Sequence, residues 1–133
     1  MAFIFCASSM PPDFDSLHLF FEGQYKELFE IIDQIAERIR SLNHHASAAL
    51  SDYLEITNLT EISRDRINST GFIKLLHEDH ESIIVHLRKK VDRMAHVWKD
   101  FGTNDLITAV MQRHEKIAWM LRAHLDGKLS GSL

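Results

Sequence analysis

Apolar residues recur at helical spacing along three long stretches of the chain, residues 17–42, 71–98 and 104–125. The repeating apolar positions of the first stretch are Leu17, Phe21, Leu28, Ile31, Ile35, Ile39 and Leu42. Side chains three or four positions apart share one face of an α-helix, so each stretch predicts an amphipathic helix with one buried face. No long stretch alternates apolar and polar residues as a strand does. The pattern therefore predicts an all-α protein.

Residues that can cap a helix precede each of these stretches. They are Asp15 or Ser16 for the first, Ser69 or Thr70 for the second and Thr103 for the third. Their side-chain oxygens accept hydrogen bonds from the free N–H groups of a first helical turn. We therefore predict that the helices begin at these residues.

The polar connection at residues 43–70 contains one predicted short helix, near residues 48–56. Bundles of long antiparallel helices normally contain four such helices, whereas only three are visible here. Either one helix is missing or assembly covers the exposed faces.

Composition and charge narrow the class of protein. A chain of 133 residues suggests one domain, and a net charge of −4 does not support DNA binding, which usually needs a basic surface. The single Cys6 excludes an intrachain disulfide and fits a reducing compartment. No apolar run reaches the length of about 18 residues that a membrane span needs. We therefore expect a cytoplasmic protein without a membrane partner.

Four potential metal ligands lie in the first predicted helix at spacings of four, eleven and four residues. The first pair is His18 and Glu22, and the second pair is Asp33 and Glu37. At 100° per residue all four share one face, but the two pairs are about 16 Å apart along the axis. Metal–ligand bonds are about 2 Å long, so one ion cannot join both pairs within one chain. Two antiparallel copies of the helix would bring the first pair of one chain to the second pair of the other, which predicts an intersubunit site.

This ligand set contains one imidazole and three carboxylates. Such sets suit Fe(II), Mn(II) or Zn(II) better than Cu(I) or Mg. Charged residues four positions apart are also common on the solvated side of a helix, so spacing alone leaves both interpretations open.

Two longer motifs resemble the Dps mini-ferritins. PDFDSLHLFFEGQYKELFEIIDQIAERIRSL, residues 12–42, resembles the family's second helix, GPxFxxLHxxFExxYxELxExIDxIAERIRxLG. DFGTNDLITAVMQRHEKIAWMLRAHL, residues 100–125, is similar to the family's last helix, GDxxTxDLLxxxxxxHEKxAWMLRAxL. The two motifs bracket residues 12–125, which we interpret as one ferritin-like domain between an atypical segment, residues 1–11, and a flexible tail, residues 126–133.

The resemblance implies a ferritin-like four-helix bundle that assembles as a hollow dodecamer. It implies ferroxidase activity, in which Fe(II) bound at the dimer two-fold axis is oxidised, preferably by hydrogen peroxide, and stored as ferric mineral against oxidative stress. The ligands implied are His18 and Glu22 of one subunit with Asp33 and Glu37 of its partner. The family's DNA binding uses a lysine-rich N-terminal tail, and this chain has no lysine before Lys26, so we do not expect that activity.

The resemblance ends at Pro12, because the family's first helix and its HWNVxGP segment have no counterpart here. Cys6 aligns with a further histidine ligand of the family, but a thiolate beside an oxidant would itself be oxidised, so we do not expect it to bind metal. Either the start is misassigned or frameshifted, or the short chain is real and its ferroxidase activity is weakened. The alternatives to iron storage are therefore a truncated Dps-like helical assembly protein with impaired or no ferroxidase activity, and a truncated chain without a stable fold.

Asp100 and Asp105 have two open interpretations. In the family, acidic residues here line a three-fold pore that draws in Fe(II), and a ring of carboxylates would raise the local cation concentration. Acidic residues are also favoured near helix N-termini.

The remaining histidines and tryptophans suggest no chemistry. The cluster HEDHE, residues 77–81, is not the HExxH motif of metalloproteases, and we predict a solvated surface there. His114 is assigned no role, and Trp119 is expected in the core or at an interface.

Overall fold

The computed structural model describes residues 14–57, 59 and 68–129. These residues form the helices α1 (Phe14–Ser41), α2 (Leu50–Ile56), α3 (Ser69–Arg93) and α4 (Phe101–Leu129), and a π-helical turn (Met94–Trp98) extends α3. No strand occurs in this part of the chain. The predicted all-α fold and the short helix in the connection are therefore confirmed.

Helix α1 is amphipathic, and its buried face follows the predicted stripe. Leu17, Phe21 and Ile31 are buried, whereas Leu42 lies just beyond the helix and is 43% exposed. The helix ends where Asn43 adopts a left-handed backbone conformation with φ 63°, a region that Asn tolerates better than most residues. Two backbone hydrogen bonds close this end, from the N–H groups of Asn43 and His44 to the carbonyls of the last helical turn.

Helix α3 begins at Ser69, which is earlier than either predicted cap would allow. Asn68 is the N-cap, and its side-chain oxygen accepts a hydrogen bond of 2.8 Å from the N–H group of Gly71. The prediction of Ser69 or Thr70 is therefore wrong, because both lie inside the helix. Asn, Ser and Thr are all good caps, so sequence preference alone does not decide between neighbours.

Helix α4 begins at Phe101, and Asp100 caps it instead of Thr103. The Asp100 carboxylate accepts hydrogen bonds from both the N–H and the hydroxyl group of Thr103, so Thr103 donates where it was predicted to accept. Lys99 precedes the cap in a left-handed conformation with φ 53°, which turns the chain between the π-helical turn and α4. At the other end, α4 continues to Leu129 and so includes the start of the segment interpreted as a tail.

The chain divides into two compact units, residues 1–46 with α1 and residues 47–133 with α2, α3 and α4. In the second unit α3 packs against α4 and the π-helical turn. The largest of its fully buried side chains are Ile73, Ile117 and Leu121. Each such side chain contributes about 1.5–3 kcal/mol to folding.

An ion pair of 2.9 Å between Arg88 Nη2 and Glu115 Oε1 joins α3 and α4 at the edge of this core. By contrast, α2 contains no buried residue. None of the helices in the described ranges is both long enough and apolar enough to cross a bilayer.

Candidate metal centre

All four predicted ligands lie on α1, which turns them away from its buried face. His18 and Glu22 are partly exposed, and Asp33 and Glu37 are exposed. At 100° per residue, the middle of the ligand face is roughly 150° around the helix from the buried stripe. The four side chains are therefore presented on a surface of the helix that its own unit leaves open.

Glu22 is held as a carboxylate by its neighbour one turn along α1. Lys26 Nζ lies 2.7 Å from Glu22 Oε1. The hydrogen bond from Lys26 and its positive charge lower the pKa of Glu22, and His18 contributes a smaller effect in the same direction. A metal ion that binds Glu22 through Oε1 competes with Lys26. Exposed pairs of this kind contribute little to stability, so a divalent cation can compete with the ammonium group.

Within one chain, each predicted ligand pair is too small a group to hold a metal ion. No three His, Cys, Asp or Glu side chains converge on a point where an ion fits among the residues that the structure describes. Glu22 and Asp33 are eleven residues apart on one continuous helix, which corresponds to about 16 Å. A single chain therefore presents two separate candidate ligand pairs, His18 with Glu22 and Asp33 with Glu37, which we call half-sites.

The two half-sites are placed symmetrically on α1. Positions 18 and 37, like positions 22 and 33, are equidistant from the midpoint between Glu27 and Leu28. A two-fold axis through that midpoint, perpendicular to the helix, would set one chain's first pair at the same height as the second pair of its partner. Two equivalent sites would result.

An exposed apolar patch fills the surface between the two half-sites. Tyr25, Phe29 and Ile32 are 54%, 62% and 60% exposed, and the Tyr25 and Phe29 rings lie 6.4 Å apart. At 100° per residue they lie within roughly 40° of His18 around the helix. Contiguous exposed apolar side chains mark interaction surfaces. The sequence analysis missed this patch, although its spacing of four and three residues is a second apolar stripe.

Asp100 and Asp105 both belong to the second unit but have different surroundings. The carboxylate of Asp100 is partly buried and caps α4. Asp105 is exposed on the first turns of the same helix. Of the two pore candidates, Asp105 is therefore the one presented to solvent.

Two histidines that the sequence analysis left without a role form a buried pair between α3 and α4. His80 and His114 are 4% and 5% exposed, and their Nδ1 atoms lie 2.8 Å apart. The predicted solvated surface at HEDHE is therefore wrong for His80. Sequence spacing held a signal, because position 80 follows Ile73 by seven residues and precedes Ile84 by four, in register with the buried stripe of α3.

Trp119 on α4 is 60% exposed, which excludes the core as its place. Its expected position at an interface stays a prediction.

A family model described as a ferritin-like domain matches residues 7–129 of the chain. Among curated relatives, an uncharacterised low temperature-induced protein of Nostoc sp. is 41% identical over 117 residues, which are 88% of this chain and 65% of that protein. DNA protection during starvation protein 2 of Bacillus anthracis is 36% identical over 115 residues, which are 86% of this chain and 77% of that protein. The chain thus spans slightly less than two thirds of the Nostoc relative.

Solved structures show the same similarity. Dps from Thermosynechococcus elongatus superposes with a TM-score of 0.82 at 32% identity, covering 91% of this chain and 75% of that one. A Dps protein from Vibrio cholerae O1 is described as a member of a broad superfamily of ferritin-like diiron-carboxylate proteins. It superposes with a TM-score of 0.78 at 29% identity, covering 86% of this chain and 71% of that one.

Proposed function

Because the chain belongs to the ferritin-like family, and within it to the Dps mini-ferritins, we propose that it oxidises Fe(II) at sites between two subunits and stores the ferric product in a dodecameric shell. Membership of the family supports iron storage and stress protection as the general role. The site residues, the preference for hydrogen peroxide and the closed shell are parts of the proposal.

The observation that carries the proposal is the arrangement of the open face of α1. The exposed patch of Tyr25, Phe29 and Ile32 lies between two symmetric half-sites on the same side of the helix. Burying this patch against its copy removes apolar surface from water and stabilises the dimer. The same contact brings the half-sites together, so the association that hides the patch also completes the metal sites.

The donor atoms suit iron in both oxidation states. Three carboxylates and one imidazole bind Fe(II), and carboxylate oxygens are hard ligands that also accommodate Fe(III). Glu22 is already deprotonated, since its pKa is lowered. Two Fe(II) ions would each give one electron to a hydrogen peroxide molecule. Its O–O bond would then break and, with two protons, give two water molecules. Both reagents that generate hydroxyl radicals would be consumed.

One observation favours the alternative of an assembly protein with impaired ferroxidase activity. The resemblance of the sequence to the Dps family aligns Cys6 with a further histidine ligand of that family. With one nitrogen ligand fewer, each site would bind Fe(II) more weakly.

Asp105 is the candidate for guiding Fe(II) towards the interior, since its exposed carboxylate attracts cations.

Subunit complementation tests the intersubunit site directly. One variant carries His18→Ala and Glu22→Gln, the other carries Asp33→Asn and Glu37→Gln, and each alone should lose Fe(II) oxidation by hydrogen peroxide. In a mixed dimer, one of the two sites regains all four ligands and the other loses all four. Random mixing of equal amounts during assembly should therefore restore about a quarter of the wild-type rate.

The control is the same mixture prepared from separately assembled variants that do not exchange subunits, which should stay inactive. No recovery after joint assembly would overturn the intersubunit site. A wild-type chain that assembles but does not oxidise Fe(II) would instead establish the alternative function. The preference for hydrogen peroxide is tested by measuring Fe(II) oxidation in a stopped-flow assay with either oxidant. The wild-type oxidation rate should be slower with dioxygen, and equal rates would contradict the oxidant preference.

A further inference from the structure

The buried pair of His80 and His114 joins the two helices that form the core of the second unit. His80 lies on α3 and His114 on α4, 34 residues apart in sequence. Their ring centroids are 5.0 Å apart, and the 2.8 Å between their Nδ1 atoms is a hydrogen-bond distance. This polar contact lies inside an interface otherwise built from residues such as Ile73 and Ile117.

A hydrogen bond between two Nδ1 atoms fixes the protonation of both rings. One Nδ1 must carry the hydrogen and the other must offer its lone pair, so the neutral rings adopt opposite tautomers. One additional proton can bind to Nε2 of the donor ring and leaves this bond in place. A second additional proton puts hydrogen on both Nδ1 atoms, which removes the bond and sets two like charges against each other in a buried site.

We propose that His80 and His114 form an acid-sensitive latch between α3 and α4, closed while the pair holds at most one additional proton and opened by the second. When the latch opens, the core between α3 and α4 loses its internal hydrogen bond and gains a repulsion between two cations. The whole second unit is then destabilised.

The surroundings of the pair favour the closed latch at neutral pH. Burial, the charge of His114 and that of His77 together lower the pKa of His80 to about 4, and burial lowers the pKa of His114. No carboxylate of the described residues contributes to either shift. Both rings are therefore neutral at pH 7.

The charged groups on the packed elements are engaged elsewhere or act as like charges. Glu115, next to His114 on α4, pairs with Arg88 of α3, and His77 Nε2 lies 3.5 Å from Glu81. In the π-helical turn, His96 lies 3.7 Å from Asp92.

Asp79, which precedes His80, has a pKa raised by burial and then by Glu78. A raised carboxylate pKa makes the folded protein more stable at low pH, which is the opposite of the effect expected from the two histidines. The contribution of the latch is therefore measured by comparing the pH dependence of variants.

The sign of the expected effect follows from the lowered pKa values. Unfolded histidines bind protons near pH 6.5, whereas the folded pair does not, so the latch stabilises fully above that pH and loses its effect as the pH falls towards 4. Between pH 7 and pH 5, His80 alone should raise the unfolding equilibrium constant roughly 20-fold.

Urea unfolding of the assembled protein at pH 7 and pH 5 tests the latch. His114→Asn keeps a nitrogen or oxygen near the position of Nδ1 but removes one titrating ring, so the wild-type fold-change should shrink. The double variant, which carries His80→Asn as well as His114→Asn, should lose this fold-change between pH 7 and pH 5. His86→Asn, which changes an exposed histidine of α3, should keep the wild-type dependence. A wild-type pH dependence in the double variant would overturn the latch.

A second measurement uses the wild-type protein alone and so does not depend on the variants folding. Hydrogen exchange at the Cε1 position of each histidine, followed by mass spectrometry, reports individual pKa values. His80 and His114 should both titrate below pH 6.5, and backbone exchange in α3 and α4 should accelerate in the range where both rings become charged. Titration of both rings at or above 6.5, or unchanged backbone exchange in α3 and α4 where both rings become charged, would overturn the proposal.

Discussion

Glu22 is the residue at which the solvated state and the proposed metal-binding state of α1 would compete. In the single chain its carboxylate pairs with Lys26 at 2.7 Å, and in the proposed site the same oxygens bind Fe(II). Metal binding requires the deprotonated group, and the lowered pKa of Glu22 supplies it well below neutral pH. Lys26 therefore keeps Glu22 deprotonated and also competes with a metal ion for its carboxylate.

Removing the competing ammonium group should strengthen Fe(II) binding. For Lys26→Gln we expect an affinity roughly two- to fivefold higher, the range for releasing one exposed ion pair, measured by anaerobic calorimetry on the assembled protein. Lys74→Gln is the matched control, because Lys74 forms the equivalent pair with Glu78 on α3 and should leave Fe(II) affinity unchanged. Weaker binding in Lys26→Gln would contradict competition at Glu22.

The two acidic residues of α4 should respond differently to substitution. Asp100→Ala removes the cap and should cost about 1 kcal/mol of unfolding free energy, seen as a lower urea midpoint. Asp105→Asn should leave the midpoint unchanged but slow iron uptake into the shell, because an exposed carboxylate is lost. Equal uptake by Asp105→Asn and the wild type would remove Asp105 from the entry path.

Sequence alone was sufficient to place the four candidate ligands on one face of one helix. The helical repeat places four side chains on one face of α1 from their spacing alone, namely His18, Glu22, Asp33 and Glu37. The pair of His80 and His114 could not be predicted, because the contact joins two helices whose relative register depends on side-chain packing.

At the scale of elements, α1 is a helix with two apolar faces. Leu17, Phe21 and Ile31 are buried, while Tyr25, Phe29 and Ile32 are exposed. The helices themselves were predictable from their period, but their starts were not, because chemically similar caps lie next to each other. The start of α4 was misplaced because Thr103 is also a good N-cap residue, although it lies inside the helix.

A charge in the exposed patch of α1 should prevent assembly. Phe29→Lys would bury an ammonium group without a partner in the contact between two copies of α1, so we expect dissociation to smaller species in sedimentation experiments. The helical content by circular dichroism should persist. Val85→Lys, an exposed apolar position on α3, is the control and should keep the wild-type mass. A wild-type mass for Phe29→Lys would exclude this patch as the contact.

At the scale of the whole molecule, the proposed metal sites become complete only on assembly. Each chain carries two half-sites and an open apolar patch, so a closed two-fold contact is the smallest unit that can bind Fe(II) in the proposed way. Helix geometry predicts that two copies share each site. The number of such pairs that close a shell depends on contacts between chains, which the structure of one chain does not show.

The mass of the assembled protein tests this level directly. A chain of 15.4 kDa should give a species of about 185 kDa if twelve copies close a shell. Light scattering across a dilution series should find this mass. The same samples should oxidise Fe(II) when hydrogen peroxide is added. A stable monomer would contradict the proposed function, since no chain would then complete a site.

The stability of helix α2 can be used to follow assembly. It has seven residues, none of them buried, whereas an isolated helix needs about 12–15 residues to persist in water. In the proposed shell, contacts from a neighbouring copy would sustain it. Residues 50–56 should then be cut rapidly by a protease in free chains and slowly in assembled ones. The cleavage rate would follow the free-chain concentration, so a cell's proteases would remove unassembled copies and spare finished shells.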